Sequence, residues 1–143
     1  MQVASLLSSK GRDVATISPE QSVTEVLALL KERAVGALVV SSPEEPLTGI
    51  ISERDVVRAL AERGAAVLDE SVADLMTRDV TTCEETTSVT DLMGLMTSRR
   101  IRHVPVVTDG QLVGVVSIGD VVKARFEELE GEKRDLLDYV SAR

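Results

Sequence analysis

Two short stretches carry residue types at a spacing that could do chemistry. "GIISERDVV", Gly49 to Val57, and "GVVSIGDVV", Gly114 to Val122, both run Gly, two aliphatics, Ser, two free positions, Asp and two valines. Ser52 and Ser117 each stand where an apolar strand-like pair gives way to a helical pattern. A helix start leaves backbone N–H groups without partners and carries the positive end of the helix dipole, which is where a phosphate would sit. One turn on, Asp55 and Asp120 offer carboxylates able to accept hydrogen bonds from both hydroxyls of a ribose. Ser-x-x-acid is equally an ordinary capping box that needs no ligand. Recurrence in register, and a preceding Gly that permits close approach, shift the balance toward a ligand contact.

The elements that must position these residues are themselves doubled. "RDVATISPEQSVTEVLALLKER", Arg12 to Arg33, aligns without a gap on "RDVTTCEETTSVTDLMGLMTSR", Arg78 to Arg99, at a shift of 66. "LTGIISERDVVRA" matches "LVGVVSIGDVVKA" at a shift of 65, and the lead-in "VASLL" at Val3 answers "VADLM" at Val72. Fixed-period self-similarity is the signature of a repeat architecture. Within each copy, "SVTEVLALLKER" and "SVTDLMGLMTSR" open on a Ser cap and carry apolar residues at helical spacing. Two β-branched runs follow, suited to paired strands, joined in the second copy by Asp109-Gly110, a strong hairpin signal. The order per copy is short strand, helix, strand, strand, helix. A three-stranded sheet with two helices cannot cover itself, so an α/β (α+β) fold is expected in which the two copies pack with pseudo-twofold symmetry. The copies span residues 3–65 and 70–127, and a helical extension covers 128–143.

Composition bounds the rest. The chain has 143 residues, an apolar fraction of 43% and a formal charge of −8 with no Lys/Arg run, which disfavours nucleic acid and anionic membrane as partners. No apolar run approaches the length that spans a bilayer, and no signal-like start is present, so a cytoplasmic location is expected. One Cys and one His are too few for an internal disulfide or a soft-ligand zinc site. Cys83 matches Ile17 in the repeat and is expected in the core. An enzyme would need a convergent acid, base and nucleophile, and the sequence offers none, so no catalytic residue and no catalytic cofactor are assigned.

The doubled pattern, with "RHVPVV" before the second hairpin and Gly-aliphatic-aliphatic-Ser-x-x-Asp after each, resembles the cystathionine-β-synthase (CBS) domain, here as the tandem pair often called a Bateman module. The resemblance covers about Val3 to Arg125 and adds to the recurrence and the Gly in favouring a ligand contact in at least one copy. It implies a stand-alone, non-catalytic regulatory module whose ligand is an adenine nucleotide such as AMP, ADP, ATP, NAD or S-adenosylmethionine, held between the repeats. By the family pattern, adenine lies against the segments Val80 to Thr82 and Val104 to Val106, including Pro105, with Val14 to Thr16 and Leu38 to Val40 as their first-copy equivalents. Arg102 and His103 match Gly36 and Ala37 and would face phosphates, with Arg54 as the first copy's own cation. On that basis the Asp120 cleft is expected to bind more tightly than the Asp55 cleft, unless Arg102 reaches across.

The resemblance also implies a homodimer. Val122, Phe126, Leu129, Lys133, Leu136 and Val140 mark a short heptad-like stripe, interrupted by Gly131 and Lys133, on a long terminal helix that would contribute to or border the contact, or would instead fold back on its own repeat. The rival from another class is a dimeric protein-interaction scaffold with empty nucleotide sites.

Overall fold

The computed structural model describes residues 1–142. Arg143, the last residue of the expected extension, lies outside the described residues. The first copy contains β1 (Thr16–Ile17), α2 (Val23–Arg33), β2 (Ala37–Val40), β3 (Gly49–Ser52) and α3 (Glu53–Arg63), preceded by α1 (Val3–Lys10). A short 3-10 turn at Ala65–Asp69 and the one-turn α4 (Val72–Leu75) lead into the second copy, α5 (Val89–Arg99), β4 (His103–Thr108), β5 (Gln111–Ser117) and α6 (Ile118–Ser141).

Local chemistry sets these boundaries. Ser22, Ser52, Ser88 and Ser117 each accept a hydrogen bond from the backbone N–H three residues on, starting α2, α3, α5 and α6. Helices α2 and α5 end alike, with Ala34 and Arg100 in the left-handed conformation at φ 54°. The β4–β5 hairpin turns at Asp109 and Gly110, both with positive φ, as the Asp-Gly pair predicts.

The sheets differ in one respect. In the first, β1 pairs parallel with β2, which pairs antiparallel with β3. In the second, the expected third strand shrinks to a single bridge between Cys83 and Val106. Val39 donates its N–H to the Ala15 carbonyl in the first copy. Its counterpart is Pro105, which has no N–H to donate, so the ladder is cut short.

Two valine-rich cores result, and each lead-in packs on the far copy. Val3, Leu6 and Leu7 of α1 join Cys83, Val89, Leu92 and Val104 in the second core. Val67, Val72 and Met76 join Val23, Val26, Leu38 and Ile51 in the first. The same backbone bonds secure both crossings: Val3 N–H to the Thr87 carbonyl and Val89 N–H to Met1, against Val72 N–H to Gln21 and Val23 N–H to Glu70. Gly49 and Gly114 explain themselves here. A Cβ on Gly114 would lie 2.7 Å from Leu7 Cδ2, and one on Gly49 would lie 2.7 Å from the Thr77 carbonyl oxygen. The motif glycines admit the crossing lead-ins. Among the described residues no helix is long and apolar enough to cross a membrane.

Candidate functional site

Both Ser-x-x-Asp motifs form capping boxes. Ser52 N–H donates to Asp55 Oδ2 at 2.8 Å while Ser52 Oγ accepts from Asp55 N–H at 3.3 Å, and Ser117 with Asp120 repeats the arrangement. The cap uses one carboxylate oxygen. Among the described residues nothing bonds Asp55 Oδ1.

Asp55 opens onto a cavity of about 370 Å³ between the two copies, a volume within the range of small-ligand sites. Of the residues singled out from sequence, Ser52, Arg54, Asp55, Val80, Arg102 and His103 line it together. Arg102 therefore stands with Asp55, across the copies. Positions 102–103 and 36–37 all line this one cavity because they meet near the pseudo-twofold axis: a Cβ on Gly36 would lie 3.1 Å from His103 Cε1 and 3.1 Å from Glu53 Oε1. Arg54 also crosses, donating from Nη1 to the Arg100 carbonyl at 3.2 Å.

Sequence reasoning missed three further cations on this wall, Arg58, Arg99 and Arg100. Five arginines thus face three carboxylates, Glu53, Asp55 and Asp79, a local cationic surplus in an acidic chain. Their signal was present: Arg58 lies one turn beyond Arg54 on the same helix, and "RRIR" brackets the β4 entrance. His103 is half-buried, and burial holds its imidazole below the ordinary histidine range, against the opposing pull of Glu53.

Other expected positions lie elsewhere. Leu38, Val104 and Pro105 are buried: Leu38 and Val104 hold equivalent positions on the sheet faces that pack into the two cores, whereas Pro105, next along β4, lies on the opposite face. Thr16 and Thr82 are exposed and line neither this cavity nor the groove between α1 and α6. Cys83 is buried as a core residue, and burial pushes its thiol up to about 11, which keeps it protonated and inert.

Asp120 meets a different neighbour. Lys10 Nζ donates to Asp120 Oδ2 at 2.6 Å and to the Val115 carbonyl at 2.7 Å. Burial would raise the Asp120 carboxyl. The hydrogen bond and charge of Lys10, with the Ser117 N–H, outweigh it and hold the group below the ordinary carboxylate range.

Comparison with known proteins agrees with this architecture. The family model "CBS domain" matches residues 5–62 and 72–127. The crystal structure of the CBS-domain containing protein ATU1752 from Agrobacterium tumefaciens is similar over 87% of this chain and 92% of that one, with 46% identity and a TM-score of 0.85. The mitochondrial CBS domain-containing protein CBSX3 of Arabidopsis thaliana is 35% identical over 96% of this chain and 71% of its own length. PAE2072 from Pyrobaculum aerophilum, a CBS domain protein solved in complex with AMP, is 31% identical, covering 84% of this chain and 89% of that one, with a TM-score of 0.74. With both copies matched by the family model and the paired architecture shared, the chain belongs to the CBS domain family, as a tandem pair.

Proposed function

We propose that the chain is a non-catalytic sensor that holds an adenine nucleotide in the cavity lined by Asp55. The observation that carries this is the convergence, in about 370 Å³, of a helix start bearing Ser52 and Asp55 with Arg54, Arg58, Arg100 and Arg102. The Asp55 oxygen that the cap leaves unused would accept from ribose hydroxyls, the arginines would neutralise phosphates, and Val80 and Ile101 would offer apolar contact for a base. The AMP complex of the related Pyrobaculum protein supports an adenosine-type ligand. The wealth of arginine favours a ligand with more than one phosphate. Because Arg102 stands with Asp55, and because Asp120 is already paired with Lys10, the Asp55 cavity is the tighter site, the reverse of the ranking drawn from sequence.

Isothermal titration with AMP, ADP, ATP and NAD tests the reading. Charge-assisted hydrogen bonds contribute roughly 1.5–3 kcal/mol, so Asp55→Ala is expected to weaken binding about ten- to a hundredfold. Its folding stability is measured separately without ligand, because the same carboxylate caps α3. No binding of any of the four at millimolar concentration overturns the sensor and favours the scaffold.

The dimer also belongs to this reading. Val57 on α3 and Val122 on α6 occupy equivalent positions and are 63% and 62% exposed, and Phe126 and Leu129 extend the same exposed stripe. Within this chain α6 does not bury that face. Association of two chains through α3 and α6 would cover it, and light scattering at micromolar concentration should give twice the chain mass.

A further inference from the structure

The two clefts are made unequal by three residues. Between the lead-in and the Arg-Asp-Val that both copies share, the first copy has "SSKG" and the second only Thr77. In the short version, Thr77 N–H donates to the Ile50 carbonyl at 2.9 Å, closing a backbone bridge beside Asp55. In the long version, α1 runs on to Lys10, and the ammonium donates to the carbonyl of Val115, the residue equivalent to Ile50. Unlike a backbone N–H, it also reaches the motif carboxylate, Asp120. Two of its three N–H donors are engaged, and the negative charge that would greet a ribose is neutralised.

The ammonium is not easily withdrawn. Lys10 ends a helix whose Val3 and Leu7 are fully buried in the second core, and the chain leaves it through Gly11. The tether keeps the cation at a high local concentration over Asp120, against which a free nucleotide must compete. The counterparts of three of the Asp55 cavity's five arginines are also missing, Gly119 for Arg54, Ala34 for Arg100 and Gly36 for Arg102. The geometry points to Lys10 as the residue that selects between the clefts: it occupies the Asp120 motif as an internal cation, so that each chain takes one nucleotide, at Asp55, where two motifs are present. This rests on the nucleotide reading above but adds a stoichiometry and a residue that sets it.

The test is calorimetric titration of ADP into the full chain and into Lys10→Met, Lys10→Gln and Asp55→Ala. Lys10 is at the surface, and circular dichroism with thermal melting confirms that each variant folds. The expected result is one ADP per wild-type chain, two for Lys10→Met and Lys10→Gln, and at least a tenfold loss of affinity in Asp55→Ala. Two equivalents in the wild type, one equivalent in the wild type and in both Lys10 variants alike, or a wild-type site untouched by Asp55→Ala would each overturn the inference. If the wild type bound none but the Lys10 variants bound one, Lys10 would stand as the block while the Asp55 site would fail. No binding by any of the proteins would overturn both.

Discussion

Replacing Gly49 and Gly114 separately with Ala measures how closely each lead-in crosses to the opposite copy. At Gly114 the new methyl would meet Leu7 Cδ2 at 2.7 Å, the end of a buried side chain that can shift by a few tenths of an ångström where backbone cannot. At Gly49 it would meet the Thr77 carbonyl oxygen at 2.7 Å and Met76 Sδ at 2.9 Å. That carbonyl accepts from Ile50 N–H at 3.0 Å, and Thr77 N–H donates back to Ile50 at 2.9 Å. Backbone cannot rotate away, so the strain falls on both bonds. Overpacking costs roughly 1–3 kcal/mol, and each weakened backbone bond adds about 1 kcal/mol. Ala recovers about 0.5–1 kcal/mol through its smaller loss of chain entropy. The balance is a loss of about 2–4 kcal/mol for Gly49→Ala and about 1 kcal/mol for Gly114→Ala. At about 2–4 °C per kcal/mol for a chain of this size, the melting points should fall by about 4–16 °C and 2–4 °C. Urea unfolding of the two variants without ligand is the assay. Equal losses, a larger loss at Gly114, or stabilisation by either Ala would refute the close-approach reasoning.

Two further outcomes are expected. Ala34 is exposed and left-handed at φ 54°, a conformation that costs an L-residue about 1–2 kcal/mol; Ala34→Gly should therefore raise stability by about 0.5–1 kcal/mol, visible as a higher urea midpoint. Burial lowers the His103 pKa in the presence of Glu53, Lys10, Asp120 and Arg102, so between the folded value and the ordinary value near 6.5 the unfolded chain binds the proton more readily. Stability contributed by neutral His103 is thus complete above about pH 6.5 and is lost as pH falls through that window. His103→Gln should remove this component, and urea midpoints at about pH 7.5 and pH 5 for the two proteins measure it.

Much of this was legible beforehand because it is local. The Ser caps, the helical spacing of Val23, Val26 and Leu30, and the Asp109-Gly110 turn are each decided within a few residues, and the doubling of the chain multiplied every such signal. What escaped was set by pairing across distance. "VASLL" and "VADLM" declare an apolar face without saying which sheet it will cover, so the crossing of α1 and α4 left no trace in either segment. The family pattern puts Arg102 at the Asp120 cleft, with a reach across to Asp55 as the alternative. Near a twofold axis a residue can stand as close to the partner copy's motif, and Arg102 lines the cavity with Asp55. The motif Gly was assigned to a ligand, although the atoms nearest an added Cβ belong to Leu7 and Thr77. Lys10 was passed over because it lies in residues that the repeat alignment leaves unmatched.

The exchange of lead-ins says something about how such a chain is put together. Helix α1 completes the core of the copy farther along the chain, and the segment from Val67 to Met76 completes the core of the copy before it. In topology this is a domain-swapped dimer whose two subunits have been joined end to end. Cutting the chain near residue 65 would leave each half without part of its own core, though not without a partner able to supply it. Two severed halves mixed together could rebuild the whole by trading segments, and a single repeat could do so only with a second copy of itself. Each half thus carries a segment that the other half's core is built with.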